Sequence, residues 1–193
     1  MHFKNLVLLL LTQTAKASTC ACALQDPHLS LAHGGRADWR GKHQKLYAVL
    51  SAPGVAVNAR TEEATFALRS LHVNGSFFTE AHLVLRTFSG KLLKLSVVAD
   101  PQDDAFRIVN GSCDERSFML WAHDTIVCDE MSASRDVVTV TVESAHWRQR
   151  FSALPVYNRL SGPAKRLDFS FDALVDEADL NAHGIIGQSF DGS

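Results

Sequence analysis

The sequence lacks the features that mark several large classes of protein. Its 193 residues include 19 basic and 21 acidic side chains, and without a basic excess we expect no nucleic-acid partner. No apolar run reaches the roughly 20 residues of a membrane-spanning helix, so no membrane span is expected. With 46% hydrophobic and 21% charged residues, the chain is too apolar for disorder and too mixed for a coiled coil or a collagen. The composition is that of a globular domain.

The common catalytic and cofactor motifs are also missing. There is no G-x-S-x-G, H-E-x-x-H, phosphate-binding loop or G-x-G-x-x-G. His28, His33 and His43 share one loop-rich segment at spacings that fit no standard zinc site. We therefore expect neither an enzyme nor a resident cofactor.

What the sequence does contain is repeated alternation of apolar and polar residues with a period of two. This pattern is typical of half-buried antiparallel strands, and about ten short ones predict an all-β fold, an antiparallel two-sheet β-sandwich with little helix. One helical turn or two is expected within 173–182. The predicted strands include 45–50, 55–60, 65–73, 82–88, 91–98, 137–143, 147–153 and 167–172, and the predicted buried residues include Leu95, Val97, Val138, Val140, Phe169 and Phe171.

The first residues have the pattern of a secretory signal peptide. Lys4 precedes an apolar run at 6–11, and Ala15-Lys16-Ala17 provides a cleavage site. The alternative is a buried N-terminal strand or helix. With cleavage, residues 1–17 are the signal peptide, 18–24 a short N-terminal segment and 25–193 a single domain, and the protein is secreted to the extracellular space.

If the protein is secreted, its two Asn-Gly-Ser sequences are candidate glycosylation sites. Asn74 and Asn110 are acceptor positions for N-glycosylation. Each Asn-Gly pair also favours a type I′ hairpin turn, and glycans occupy exposed turns. We predict a glycoprotein with hairpin turns at both places.

Four cysteines remain after cleavage, which leaves three ways of forming two disulfides. Cys113 and Cys128 flank segments 117–121 and 125–127, which we interpret as a hairpin, so a local bridge between them is predicted. The alternative bonds Cys20 or Cys22 to one of these two. Cys20-Ala21-Cys22 is either a metal or redox pair or two structural thiols.

Two stretches carry a resemblance to known extracellular domains. Asp26-Pro27-His28, followed by 38–41 and 45–50, is similar to the opening of von Willebrand factor type D domains. Segments 65–73, 167–171 and 183–190 resemble the plant root-cap family, which shares that opening. The match spans residues 25–192.

The resemblance implies roles for particular residues. Asp26, Pro27 and His28, here called the DPH box, are expected to be structural, because Pro27 biases Asp26 towards an extended conformation in which its carboxylate accepts backbone hydrogen bonds that pin the first strand to the sheet. The alternative, which the resemblance implies, is acid-triggered scission of the Asp26–Pro27 bond. Gln25 stands where the family has glycine, and the cysteine expected near 44–45 is absent, so disulfide-linked multimers are not implied. Residues 187–192 partly match a calcium loop, which makes Asp191 a candidate calcium ligand in a loop that is either incomplete or truncated at Ser193.

These features predict a non-enzymatic secreted domain with a structural, adhesive or assembly role in an extracellular matrix, wall or surface layer. Its expected partners are extracellular proteins or glycans. The alternative is a secreted enzyme that acts on glycans through acidic residues outside any known motif. An exposed apolar patch would favour binding, and facing acidic residues in a deep cleft would favour the enzyme.

Overall fold

The computed structural model describes residues 20–100, 105–175 and 181–190, and within them the chain is an all-β protein. The only helix in these ranges is a 3-10 turn at Gly187–Phe190, and no described helix has the length and apolarity to cross a membrane. The strands are β1 (Cys20–Leu24), β2 (His28–Ser30), β3 (Arg36–Asp38), β4 (Leu46–Ala52), β5 (Val55–Leu68), β6 (Leu71–Arg86), β7 (Leu92–Ala99), β8 (Phe106–Cys113), β9 (Arg116–Met119), β10 (Thr125–Cys128), β11 (Met131–Arg135), β12 (Thr139–Glu143), β13 (Trp147–Pro155), β14 (Arg159–Ser161) and β15 (Lys165–Ala173).

The strands form two antiparallel sheets, which confirms the predicted fold class. Sheet A has eight strands in the order β10-β11-β12-β13-β15-β1-β2-β3. Sheet B has seven, in the order β14-β5-β6-β7-β8-β9, with β4 also paired to β5. Strand β1 lies between β15 and β2, so residues 20–24, which were predicted to precede the domain, are part of sheet A.

The two sheets enclose one main hydrophobic core. Phe78 of β6 stacks on Phe169 of β15 with ring centroids 4.8 Å apart, which joins the sheets at their middle. Alternation places Trp147, Phe151 and Phe171 in the same core. Of the residues predicted to be buried, Val138 is the exception: it is 43% exposed, because β12 begins only at Thr139 and Val138 belongs to the preceding turn.

Several predicted boundaries are wrong for a common reason, the length of the β5–β6 hairpin. Its strands have 14 and 16 residues, so the segment predicted as one strand at 65–73 contains the turn that joins them.

The segment 173–182 was predicted to contain a helical turn, but its described part is not helical. Ala173 ends β15, and residues 174, 175, 181 and 182 are irregular. Residues 176–180 of this segment lie outside the described residues, as does the predicted signal peptide.

Neither Asn-Gly pair forms a turn. Gly75 is inside β6 and Gly111 is inside β8. A Cβ at Gly111 would overlap the carbonyl oxygen of Lys94, and one at Gly75 would lie 2.7 Å from the Asp26 carboxylate. These glycines are needed for close approach of neighbouring groups rather than for a left-handed turn.

Candidate functional site

Asp26 and Pro27 of the DPH box lie in the turn between β1 and β2, His28 begins β2, and the turn is hydrogen-bonded to sheet B. The Asp26 carboxylate lies over Gly75, and its Oδ1 accepts a hydrogen bond of 2.8 Å from the backbone N–H of Ser76. The carbonyl of Pro27 accepts a bond of 3.1 Å from the N–H of Trp39. Asp26 therefore accepts a backbone hydrogen bond, as expected from the proline that follows it, and this bond joins the β1–β2 turn of sheet A to β6 of sheet B.

A buried ion pair between Arg166 and Asp168 is hydrogen-bonded to this turn. Arg166 and Asp168 are 4% and 8% exposed, and Arg166 Nε lies 3.0 Å from Asp168 Oδ1. The same Asp168 oxygen accepts the N–H of Gln25 at 2.9 Å, and Arg166 Nη1 donates to the carbonyl of Pro155. The carboxylate of Asp168 thus balances the positive charge of Arg166. A guanidinium that is buried this deeply needs such a counterion.

A cavity of about 400 Å³ opens beside the box. Its polar wall holds Asp26, His28 and Arg166, and its apolar wall comes from the distal half of the β5–β6 hairpin and the turn before β14. His28 on the rim lies 2.7 Å from the carboxylate of Asp38. The full lining is Gln25, Asp26, His28, Phe66, Ala67, Leu68, Val73, Phe77, Val156, Tyr157, Asn158 and Arg166.

Strand β6 contains a β-bulge and supplies both the core and this cavity. The register of β5 against β6 shifts at Arg60 and Thr61, which leaves Thr79 as an extra residue on β6, and a bulge bends its strand. Both Phe77 and Phe78 are buried: Phe78 packs in the main core, whereas Phe77 joins a small separate cluster with Val156. The second cluster is the inner wall of the cavity.

Exposed apolar residues belong to the cavity lining, as Leu68 and Tyr157 do, or lie on the strands that adjoin it. Leu68 and Leu71 pair at the tip of the β5–β6 hairpin and are 57% and 66% exposed. Tyr157 is 70% exposed, and Leu160 of the adjoining β14 is 54% exposed. We call Leu68, Leu71, Tyr157 and Leu160 the apolar rim. Such a grouping beside a cavity is characteristic of a binding surface.

The structure brings the first sequon next to the box. Ser76 of this sequon bonds to Asp26, and Asn74 is exposed, with its Oδ1 accepting a bond of 2.8 Å from Thr65 Oγ1. Asn110 is also exposed, in β8. Both asparagines are accessible within strands rather than on the predicted turns, and their glycosylation stays a prediction.

The Cys113–Cys128 disulfide is present, with the two Cα atoms 5.7 Å apart. The hairpin from which it was predicted is wrong. Segment β9 pairs with β8 in sheet B, and β10 pairs with β11 in sheet A. The turn after Leu120 carries the chain from one sheet to the other, so the bond joins the two sheets.

The remaining thiols lie together on the outer face of sheet A. Cys20 and Cys22 alternate with the core residues Ala21 and Ala23 on β1, and both are free. The Cys20 sulfur is 3.5 Å from Ser170 Oγ. Partial burial, with a further contribution from Asp172, raises the pKa of the Cys20 thiol above its ordinary value, which lowers its reactivity.

No metal site is found in residues 20–100, 105–175 and 181–190, where no three His, Cys, Asp or Glu side chains come together. His28 is directed to Asp38, and His43 Nδ1 accepts the N–H of Glu63 at 3.2 Å. Asp191, the candidate calcium ligand, lies outside the described residues.

Acidic residues line a second cavity, of about 240 Å³. Glu62 accepts a hydrogen bond of 3.3 Å from Thr79 Oγ1, and Glu80 lies 3.4 Å from both Arg60 and His82. Asp100 is on the same wall. These carboxylates already have protein partners, which is the usual arrangement of structural acids.

The sequence did not reveal the residues that complete the cavity beside the box. Phe66, Tyr157 and Arg166 come from separate segments and meet only in the folded chain. Arg166 and Asp168 have opposite charges two residues apart, on one face of a strand. That spacing was the one available indication of the buried ion pair.

No family model and no curated protein matches this chain. The similarity to the root-cap family and to type D domains therefore stays a prediction.

Proposed function

We propose that this chain is a secreted, non-enzymatic β-domain that binds an extracellular protein or glycan and has a structural, adhesive or assembly role in a matrix, wall or surface layer. The observation that carries the proposal is the cavity beside the DPH box with its apolar rim. Leu71 and Tyr157 are each about two-thirds exposed, and covering them with a partner would remove apolar surface from water. The disulfide supports an oxidising compartment.

Binding to matrix or wall material from the native source tests this proposal. The full chain is expressed in a secreting host, and the bound fraction is measured by co-sedimentation. Replacing Leu71 and Tyr157 by Ser removes apolar side chains from the rim and is expected to weaken binding at least fivefold. Replacing Val127 and Val137, which are 71% and 55% exposed away from the cavity, is the matched control.

Unchanged binding by the rim variant would overturn the proposal. Equal loss in the rim and control variants would also count against it, because the effect would then be general surface adhesion. Circular dichroism of each variant shows whether the β-fold is retained.

The alternative, a glycan-directed enzyme, is supported only by the cavity that Glu62, Glu80 and Asp100 share. Glycoside hydrolysis usually needs two carboxyl groups on opposite sides of the scissile bond. Release of reducing sugar from wall polysaccharides that is lost in Glu62→Gln or Glu80→Gln would favour the enzyme over the binding domain.

A further inference from the structure

We infer that the cavity beside the DPH box receives a basic side chain, lysine or arginine, from a partner polypeptide. This inference rests on the proposed binding function and specifies the ligand of the same site. It depends on the charge balance of the cavity wall, on the aromatic character of the opposite wall and on the position of β14.

Asp26 is the one charge on the cavity wall without a counterion among the described residues. Arg166 is paired with Asp168, and His28 is paired with Asp38. Asp26 accepts one backbone N–H through Oδ1, and no described residue donates to its Oδ2. The wall therefore carries an unbalanced negative charge and an unused acceptor oxygen, which a cationic donor would satisfy.

The opposite wall suits the rest of a basic side chain. Phe66, Phe77 and Tyr157 provide aromatic rings, and Leu68 extends the apolar surface to the mouth. Aromatic faces attract cations, and the methylene stem of lysine or arginine packs well on apolar surface. An anionic ligand is disfavoured, because two nitrogens of the Arg166 guanidinium already donate hydrogen bonds to the Asp168 carboxylate.

The sheet edge next to the cavity favours a polypeptide as the source of that side chain. Within the described chain, β14 (Arg159–Ser161) is the terminal strand of sheet B and pairs only with β5. A terminal strand presents unpaired backbone groups to which an extended partner segment can bond. Such a segment would lie within reach of the cavity mouth formed by Tyr157 and Asn158.

The experiment compares two probes that differ by one ammonium group. The full chain, with its disulfide intact, is titrated with N-acetyl-lysine N-methylamide and with its neutral analogue N-acetyl-norleucine N-methylamide. Backbone amide shifts are followed by NMR. The lysine probe is expected to shift the amides of Gln25, Ser76 and Asn158 in a saturable way, with at least fivefold higher affinity than the norleucine probe, and sodium chloride should weaken it.

Two variants test the role of the carboxylate. Asp26→Asn keeps an Oδ1 acceptor for Ser76 and removes the charge, so it should reduce lysine affinity to that of norleucine. Glu115→Gln makes the same charge change in the exposed β8–β9 turn and should have no effect.

Equal affinity for the two probes, unaltered lysine affinity in Asp26→Asn, shifts confined to another surface, or no shifts would each overturn the inference. Tighter binding of N-acetyl-glutamate N-methylamide would overturn it as well, and would indicate an anion site at Arg166. In each case the co-sedimentation result for the rim variant is independent, so failure of the basic-side-chain ligand is distinguishable from failure of the binding function.

Discussion

The bond between Asp26 and the backbone of Ser76 should couple energetically to Gly75. Asp26→Ala removes the acceptor and leaves the N–H of Ser76, a residue that is 0% exposed, without its partner. An unsatisfied buried donor costs about 1–3 kcal/mol. Asp26→Asn keeps the acceptor and should cost less than about 1 kcal/mol.

Gly75→Ala should lower the free energy of unfolding by a similar amount, for a different reason. Its Cβ would lie 2.7 Å from Cγ and both carboxylate oxygens of Asp26, so the carboxylate must move and the bond to Ser76 is lost. In the Asp26→Ala background there is no carboxylate to displace, and alanine in a strand is not costly. The double variant should therefore be more stable than additivity predicts, with a coupling free energy of about 1–3 kcal/mol.

Urea unfolding of the four proteins, followed by tryptophan fluorescence with the disulfide intact, measures this coupling. Asn74 and Ser76 are kept in every variant, so the sequon is unchanged. Additivity within about 0.5 kcal/mol would refute the contact between the box and β6. If Gly75→Ala lowers the free energy of unfolding equally with Asp26 and with Asp26→Ala, the strain arises from a contact other than the Asp26 carboxylate.

Three further predictions concern single groups. Both amide atoms of the fully buried Gln149 lack partners among the described residues, so Gln149→Leu should stabilise the protein by about 1–3 kcal/mol; a lower melting temperature by calorimetry would contradict this. Gln25 has φ of 60°, a conformation that favours glycine, so Gln25→Gly should gain about 0.5–1 kcal/mol in urea unfolding, whereas a loss would show that no strain is present. Hydrogen bonds from Lys91 and then Ser89 lower the pKa of Asp129. This contribution to stability is present above the unfolded pKa and is lost as pH falls through the lower folded pKa; carboxyl NMR should show the depressed midpoint and its rise in Lys91→Met, and a midpoint equal to that of the unfolded chain would contradict it.

The strand content could be predicted because alternation is a local property. In β13, Trp147, Phe151 and Ala153 face the core as the pattern requires. Strand pairing is not local. The close spacing of 117–121 and 125–127 favoured a hairpin, yet a turn of a few residues sends the two segments to different sheets, and the correct disulfide was predicted from an incorrect pairing.

The candidate site was predictable only in part. The backbone hydrogen bond of Asp26 could be expected from the proline that follows it, but the reason for Gly75 lies 49 residues away in the sequence. The cavity depends on side chains from β5, β6, β15, the β1–β2 turn and the turn before β14. No periodicity in a single segment could have indicated Phe66 or Tyr157 as neighbours of Asp26.

If the cavity beside the DPH box is the binding surface of this domain, a bound partner should slow amide exchange in the segments that line it. Hydrogen–deuterium exchange of the full chain, free and bound to solubilised native matrix material, measures this protection. We expect protection of peptides that cover 25–28, 66–68 and 156–158, with little change on the outer face of β10–β12. Protection confined to that outer face, with these three segments unchanged, would contradict it.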